Sequence, residues 1–586
     1  MAIIAQPVSE DLPQVTGCIA LVNAKVVSAP GKPIQVSTIV MRDGLITDMG
    51  SHLKIPADAY RITADSLYAY PAFIDALSSI GVKNPEAEAN KNTAGPPVNR
   101  GERPVIDEEG NASLEDAGIT PFRSVRPVVD VKEKSISDWR AQGFAVAHIV
   151  PKGRMLPGKG SVIVLAGKVT DQLFWKEDVS MYAQWVGAGE GYPGTVIGVI
   201  AKWRELYHNS AQDLAQLASY SNAPMVPRPH YNQAHEALIP VVKGAMPVYF
   251  RAPKIKDISR ALALQKDLGM KMVISDAEEA WYFKDQFRSG SIPLILSLAL
   301  PEDKSEKKGD DKSDEKKPKS EKSDTTSIAD SSKLAVVKVE IKDPEKEDFE
   351  KRRAQSLKEH YQQAGVLAKD GIPFSFGTLS GKPADFTKNI KLMIDNGLSA
   401  DQALTALTTQ PAKLLGIEKN AGTIEIGKMA NILVSNKPLF EKDAAIRYMV
   451  VEGNLYAYEI KEKKPAHRNE THPTSSASAN SVLTGTWSYT IEIPDAKKEG
   501  TLEFVEKDGI LSGTITSADI TSGNKDLESI VLDGNSVAFT FDFEIGGQLV
   551  VLEFDLKLND ESFDGNVSIA DMGSFNITGQ RISKPN

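Results

Sequence analysis

Between residues 247 and 296 short apolar runs alternate with helical ones, and this rhythm constrains the fold more than any other feature. Pro247-Val248-Tyr249-Phe250-Arg251-Ala252 reads as a strand, and 257–268 as a helix with Ile258, Ala261, Leu262 and Leu268 at helical spacing and Gly269 placed to stop it. Met272-Val273-Ile274-Ser275-Asp276 is the next strand, 278–287 the next helix, and 292–296 the strand after that. Consecutive βα units of nearly equal length predict a parallel sheet covered by helices, as a barrel or a doubly wound sheet. The pattern extends upstream through a helical turn opened by 136–139 and strands at 145–150 and 161–165. Downstream it continues in a helix over 347–370, a strand over 374–379 and helices over 386–396 and 399–415. Ser399 N-caps the last of these, and Leu404, Leu407, Leu414 and Leu415 lie largely on one face.

Both flanks are β-rich. Runs at 19–22, 25–27, 37–41 and 45–47 alternate with turns, and Asp43-Gly44 is a hairpin signal because a type I′ turn needs positive φ at both central residues. Residues 422–434 and 448–456 add a turn, a strand and a hairpin. The stretch 81–115 is polar and aperiodic and reads as a long surface loop. Residues 301–333 carry Lys, Glu, Asp and Ser with almost nothing apolar, which predicts a disordered, solvated insertion. A linker is expected over 461–481. From 482 the pattern is purely β: Val537, Phe539, Phe541 and Phe543 alternate with polar residues, as do Leu552, Phe554, Leu556 and Leu558. Turn signals at Asp508-Gly509, Asp533-Gly534, Gly546-Gly547 and Asp564-Gly565 favour an antiparallel β-barrel or sandwich of about eight strands.

Charge and cysteine content narrow the function. A net charge of -10 and a pI near 5.5 argue against a nucleic-acid binder, which needs a basic face. Cys18 is the single cysteine, so an intramolecular disulfide and thiolate zinc sites are excluded. No apolar run has the roughly 18 residues of a membrane span. The segment Met1-Ala2-Ile3-Ile4-Ala5-Gln6 lacks the features of a secretory signal. The expectation is a soluble protein, cytoplasmic as the sequence stands and periplasmic or secreted if a signal peptide was removed.

Pro71-Ala72-Phe73-Ile74-Asp75 is an apolar run opened by proline and closed by aspartate, as in a buried parallel strand ending at a surface. This run, the block Asp257-Ile258-Ser259-Arg260-Ala261-Leu262-Ala263-Leu264, and the series Gly397-Leu398-Ser399, Pro411-Ala412 and Gly422-Thr423-Ile424-Glu425-Ile426-Gly427-Lys428 together resemble the metal-dependent amidohydrolase superfamily, in particular its imidazolonepropionase-like branch, over about 18–460. The resemblance implies an α/β fold. Residues 71–415 would form a (β/α)8 TIM barrel, 1–70 and 416–460 a composite β-sandwich, and 482–586 an appended all-β barrel, with chemistry at the carboxyl ends of the barrel strands.

In that family the first strand is written P-G-[LF]-I-D-x-H-x-H, and metal ligands also follow strands 4, 5, 6 and 8. The resemblance places Leu77 and Ser79 at the two histidine positions, Arg251 at the strand 5 histidine, Asp276 at strand 6 and Leu379 at the strand 8 aspartate. Leucines cannot bind a cation and an arginine repels one. Of the eight histidines, His467 and His472 fall in the linker and His52 in the sandwich. His230 and His235 are five apart, off one helical face, and His148 reads as a hydrogen-bonded wall residue. No Ser-His-Asp arrangement, phosphate loop or paired-carboxylate motif stands out.

The expectation is therefore a binding or subunit-forming protein with no metal, no cofactor and no catalytic residues. Its pocket would be lined by Asp75, Ser79, His148, Arg251 and Asp276. The expected partners are a small-molecule ligand, an active amidohydrolase chain and further copies of this chain. The alternative is an active hydrolase of non-peptide C–N bonds, such as cyclic amides or N-acyl amino acids, with a rearranged site. A third reading makes the carboxyl-terminal β-domain the working part on an inert scaffold.

Overall fold

The computed structural model describes residues 6–7, 17–83, 111–222, 225, 228, 230–302, 344–459, 483–493, 496–507, 510–517, 524–533, 535–545, 548–569 and 573–583. Most of the loop expected over 81–115, nearly all of the charged insertion and the linker lie outside these residues, as do the turn signals at 508–509 and 546–547. The chain divides into two compact units, Met1–Glu462 and Lys463–Asn586.

The first unit is centred on an eight-stranded sheet, whose strands we label in chain order: β1 (Phe73–Ser78), β2 (Phe144–Ile149), β3 (Gly158–Val164), β4 (Phe174–Gln184), β5 (Val248–Arg251), β6 (Met272–Ala277), β7 (Leu294–Ser297) and β8 (Phe374–Gly377). Each pairs with the next. The sheet closes between β1 and the end of β8, where Leu379 N–H donates to Leu77 O at 3.1 Å. Burial is nearly complete along β1, β2 and β5–β7, which explains why they read as continuous apolar runs rather than alternating ones, whereas β4 is buried only over its last five residues.

Strand β3 departs from the expected (β/α)8 arrangement. It runs antiparallel to both β2 and β4, whereas β1 and β2 pair in parallel, as do β4 through β8. The cause is the length of its connections. Residues 150–157 are too few for the crossover of a dozen or more that a parallel neighbour requires, so the chain turns straight back. The helix expected over 278–287 is also broken into a 3-10 turn, Ala280–Phe283, and a short helix, Lys284–Arg288. Here Glu279 accepts from Ile255 N–H at 2.8 Å and Gln363 accepts from Ala280 N–H at 2.7 Å, so side chains anchor the segment from outside a helical ladder.

Both flanks contribute to a separate sheet. Tyr68–Pro71, which leads directly into β1, lies between Cys18–Val26 and Ile432–Ser435, and the latter continues through Ile446–Val451 to Asn454–Glu459. The hairpin between Gln35–Arg42 and Leu45–Gly50 turns at Asp43 and Gly44, with φ of 51° and 81°, the double left-handed conformation its sequence calls for. Ile19, Leu21, Ile39, Met41, Ile432 and Val450 are among the side chains that fill this core.

The second unit is an antiparallel meander. Gly485–Ile493, Ala496–Lys507, Ile510–Ser517, Lys525–Asp526 with Glu528–Asp533, Ser536–Ile545, Gln548–Asn559, Ser562–Ile569 and Gly573–Ser583 pair in sequence, and the last pairs with the first. Lys525–Asp526 bonds to the strand before it and Glu528–Asp533 to the strand after it, so they are two halves of one strand broken at Leu527. Eight strands thus close on a core that includes Trp487, Phe504, Phe539, Phe554 and Phe563. The Arg581 guanidinium lies 4.1 Å from the Trp487 ring centroid and donates to Thr484 O at 2.7 Å. Asp564-Gly565 is not a turn, contrary to the expectation. It sits within Ser562–Ile569, and the chain reverses at Asp560, whose φ is 48°. Gly565 is there because a Cβ would collide with Asp555 O on the neighbouring strand.

Candidate functional site

Strand direction places the candidate residues at one end of the barrel. Asp75 lies within β1 and is fully buried. Its Oδ1 accepts from Leu77 N–H at 3.0 Å and Thr378 N–H at 3.1 Å, and its Oδ2 accepts a short hydrogen bond from the Thr378 hydroxyl. These bonds tie β1 to the end of β8. Burial nonetheless dominates, and it raises the Asp75 carboxyl from 3.8 to about 7 against the lowering effect of its three donors.

His148, from β2, points across the barrel interior. Its Nδ1 lies 3.0 Å from Ala76 O, which can only accept, so Nδ1 carries the proton and Nε2 accepts from the Ser180 hydroxyl at 2.7 Å. This contact passes over Gly160 of β3, where a Cβ would sit 2.7 Å from both His148 Nε2 and Ser180 Oγ. The imidazole also packs 4.5 Å from the Tyr249 ring of β5. Burial holds its pKa down at about 4. A serine hydroxyl bonded to a neutral histidine is the geometry of an activated nucleophile. Both side chains are completely buried, so no substrate reaches them, and the pair serves as an internal polar brace.

Arg251 and Asp276 meet at the ends of β5 and β6. Arg251 Nε donates to Asp276 Oδ2 at 2.8 Å, and its Nη2 donates to Ser380 Oγ at 3.0 Å. Ser380 in turn donates to the same Asp276 Oδ2 at 2.6 Å, closing a three-membered cycle. The Asp276 side chain is 1% exposed and that of Arg251 33%. Asp276 also adopts a φ of 54°, in the left-handed region that Asp enters more readily than most residues other than glycine but still at a cost. Among the described residues its buried Oδ1 has no hydrogen-bond partner, nor has the buried Ser275 Oγ. Tyr182 and Tyr249 are buried too, and burial pushes both phenols well above their usual range.

The structure thus groups Arg251 with Asp276, and places Asp75 near enough to Asp276 for the two carboxyls to interact. His148 belongs to the interior brace. Ser79 is half-buried just past β1, and its carbonyl accepts from Val82 N–H at 3.1 Å. Ser380, Thr378 and Ser180 complete these networks and were not singled out from sequence. Ser180 and Tyr182 could have been found from the strand period, since Ser180, Tyr182 and Gln184 alternate with Met181 and Ala183. His235, one of the stray histidines, bonds Asp213 Oδ2 at 2.7 Å.

With this geometry in view, comparison with known proteins is informative. The amidohydrolase family model matches residues 312–458, about a quarter of the chain. Among solved structures, the chain is similar to an amidohydrolase from Thermotoga maritima MSB8, at 18% identity and a TM-score of 0.55, over 75% of this chain and 99% of that one. It is also similar to a prolidase complexed with N-methylphosphonate-L-proline, at 13% identity and a TM-score of 0.40, over 75% of this chain and 100% of that one. The barrel joined to a sheet from both its flanks is an amidohydrolase-type fold. The likeness to the Thermotoga structure shows this fold, and the family model matches its carboxyl-terminal part.

Amidohydrolases of this fold hold a metal at the strand ends, and the described residues at those positions do not fit one. Leu77 is fully buried and apolar, and Leu379 offers no donor atom. Arg251 brings a cation, and one oxygen of Asp276 is already held by Arg251 and Ser380. Both nitrogens of His148 are engaged. Among the described residues, no group of three or more His, Cys, Asp or Glu is arranged to hold a metal ion. No helix among them is long and apolar enough to cross a membrane.

Proposed function

We propose that this chain is an amidohydrolase-fold protein whose catalytic metal site has been replaced by a protein-only polar cluster, and that it acts as a binding or subunit-forming protein. The observation that carries the reading is the closed Arg251–Asp276–Ser380 cycle at the ends of β5, β6 and β8. A guanidinium ion-paired to an aspartate satisfies locally the charge that a dication would otherwise balance, and a metal placed beside it would be repelled.

Titration of the purified chain with zinc, manganese and iron(II) by calorimetry tests this. The expected result is no stoichiometric binding. A one-to-one or two-to-one complex that disappears in Asp276→Ala would overturn it, and turnover of cyclic amides or N-acyl amino acids dependent on Asp276 would establish the catalytic alternative.

A further inference from the structure

We propose that Arg251 is a pre-oriented anchor for the carboxylate group of a small organic acid, a role that rests on the metal-free reading of the site. The argument starts from which edge of the guanidinium is occupied. Nε and Nη2 form one edge of the planar fork, and both are spent inside the protein, on Asp276 Oδ2 at 2.8 Å and Ser380 Oγ at 3.0 Å. The opposite edge, Nη1 with the second hydrogen of Nη2, has no hydrogen-bond partner among the described residues, and one third of the side chain is open to solvent. An end-on fork of two parallel N–H groups matches the two oxygens of a carboxylate.

The support behind Arg251 goes beyond what an ordinary surface ion pair requires. Asp276 is 1% exposed and accepts from both Arg251 and Ser380 on one oxygen, so the guanidinium plane is fixed from two sides. This orientation is maintained with Asp276 in the left-handed region at φ 54° and with its Oδ1 buried and unbonded, two local costs that a purely structural pair would avoid. Strain and an orphaned carboxylate oxygen at the carboxyl end of parallel strands mark a site held for a ligand.

N-acetylglycine is the probe, and its uncharged N-methylamide is the control. Calorimetry or ligand-observed NMR on the full chain is expected to show saturable binding of the acid and at least about tenfold weaker binding of the neutral amide, because the bidentate charge-assisted pair is lost. Arg251→Met is expected to abolish the difference. Arg251→Lys, which keeps the charge but not the planar fork, should recover only part of it. Unchanged circular dichroism and a cooperative melting transition of the full chain, well above the assay temperature, show that the variants fold. Equal affinity for acid and amide, equal affinity of wild type and Arg251→Met, or no binding of either probe to the folded chain would overturn the assignment. Metal content measured on the same samples separates the two claims: absent metal with no carboxylate binding defeats only this inference, whereas stoichiometric metal defeats the reading beneath it.

Discussion

Replacing Asp75 by asparagine separates two buried titrating groups that oppose each other in the wild type. Asp75 has its pKa raised from 3.8 to about 7, so the folded state keeps a proton that the unfolded chain loses near pH 4. Its contribution to stability is therefore fully present below about pH 4 and is lost as pH rises to about 7. A shift of about three units corresponds to roughly 4 kcal/mol across that window. His148 behaves in the opposite way. Its pKa is lowered from 6.5 to about 4, so its contribution is present above pH 6.5 and is lost as pH falls to about 4, on the order of 3 kcal/mol. Between pH 4 and 6.5 the two slopes nearly cancel. In the Asp75→Asn variant the new amide keeps the acceptor oxygen that Leu77 and Thr378 N–H use and can donate its own N–H to the Thr378 hydroxyl, so the geometry survives. Urea unfolding followed by tryptophan fluorescence is a suitable assay, since five of the six tryptophans lie in the first unit. The stability of wild type relative to Asp75→Asn is expected to fall by a few kcal/mol from pH 4 to pH 7, and the variant alone should gain stability over that range. Parallel pH profiles for the two proteins would refute the assignment of a buried neutral carboxyl at Asp75.

Three further substitutions probe other parts of the account. Gly160→Ala drives a methyl group to 2.7 Å from His148 Nε2 and Ser180 Oγ and 2.9 Å from Ile149 O, so a loss of about 1–3 kcal/mol is expected in urea unfolding, and no change would show the brace to be loose. Asp276→Ala leaves Arg251 without its carboxylate. Asp276→Gly should be less harmful by about 1 kcal/mol, because glycine relieves the left-handed backbone at φ 54°, and equal losses would argue against strain there. Arg581→Met removes the cation over Trp487 and the bond to Thr484 O, so it should lower the melting temperature of the second unit and shift the Trp487 emission while the first unit melts unchanged.

The barrel was legible where burial makes strands into apolar runs, as in β1, β5 and β6, and where a turn demands particular residues, as at Asp43-Gly44. Strand direction was harder to read. Residues 161–165 announce a strand, but that β3 runs backwards follows only from weighing the short connection before it against the length a parallel crossover needs. Asp564-Gly565 misled because a glycine in a sheet serves close strand approach as readily as it serves a turn. In the site, Arg251 and Asp276 were singled out by the resemblance, at the strand 5 and strand 6 ligand positions. Their partner Ser380 lies 129 and 104 positions away, and Ser180 lies 32 from His148. No local pattern links such pairs, because barrel closure alone brings them together.

The central claim is that protein side chains have taken the place of the catalytic metal. Elemental analysis of the chain purified without added metal or chelator tests it most directly. The account predicts zinc, iron and manganese each well below one equivalent, with no change in melting temperature on exposure to a strong chelator. One or more equivalents of a single metal, removed by the chelator with a loss of stability, would contradict it.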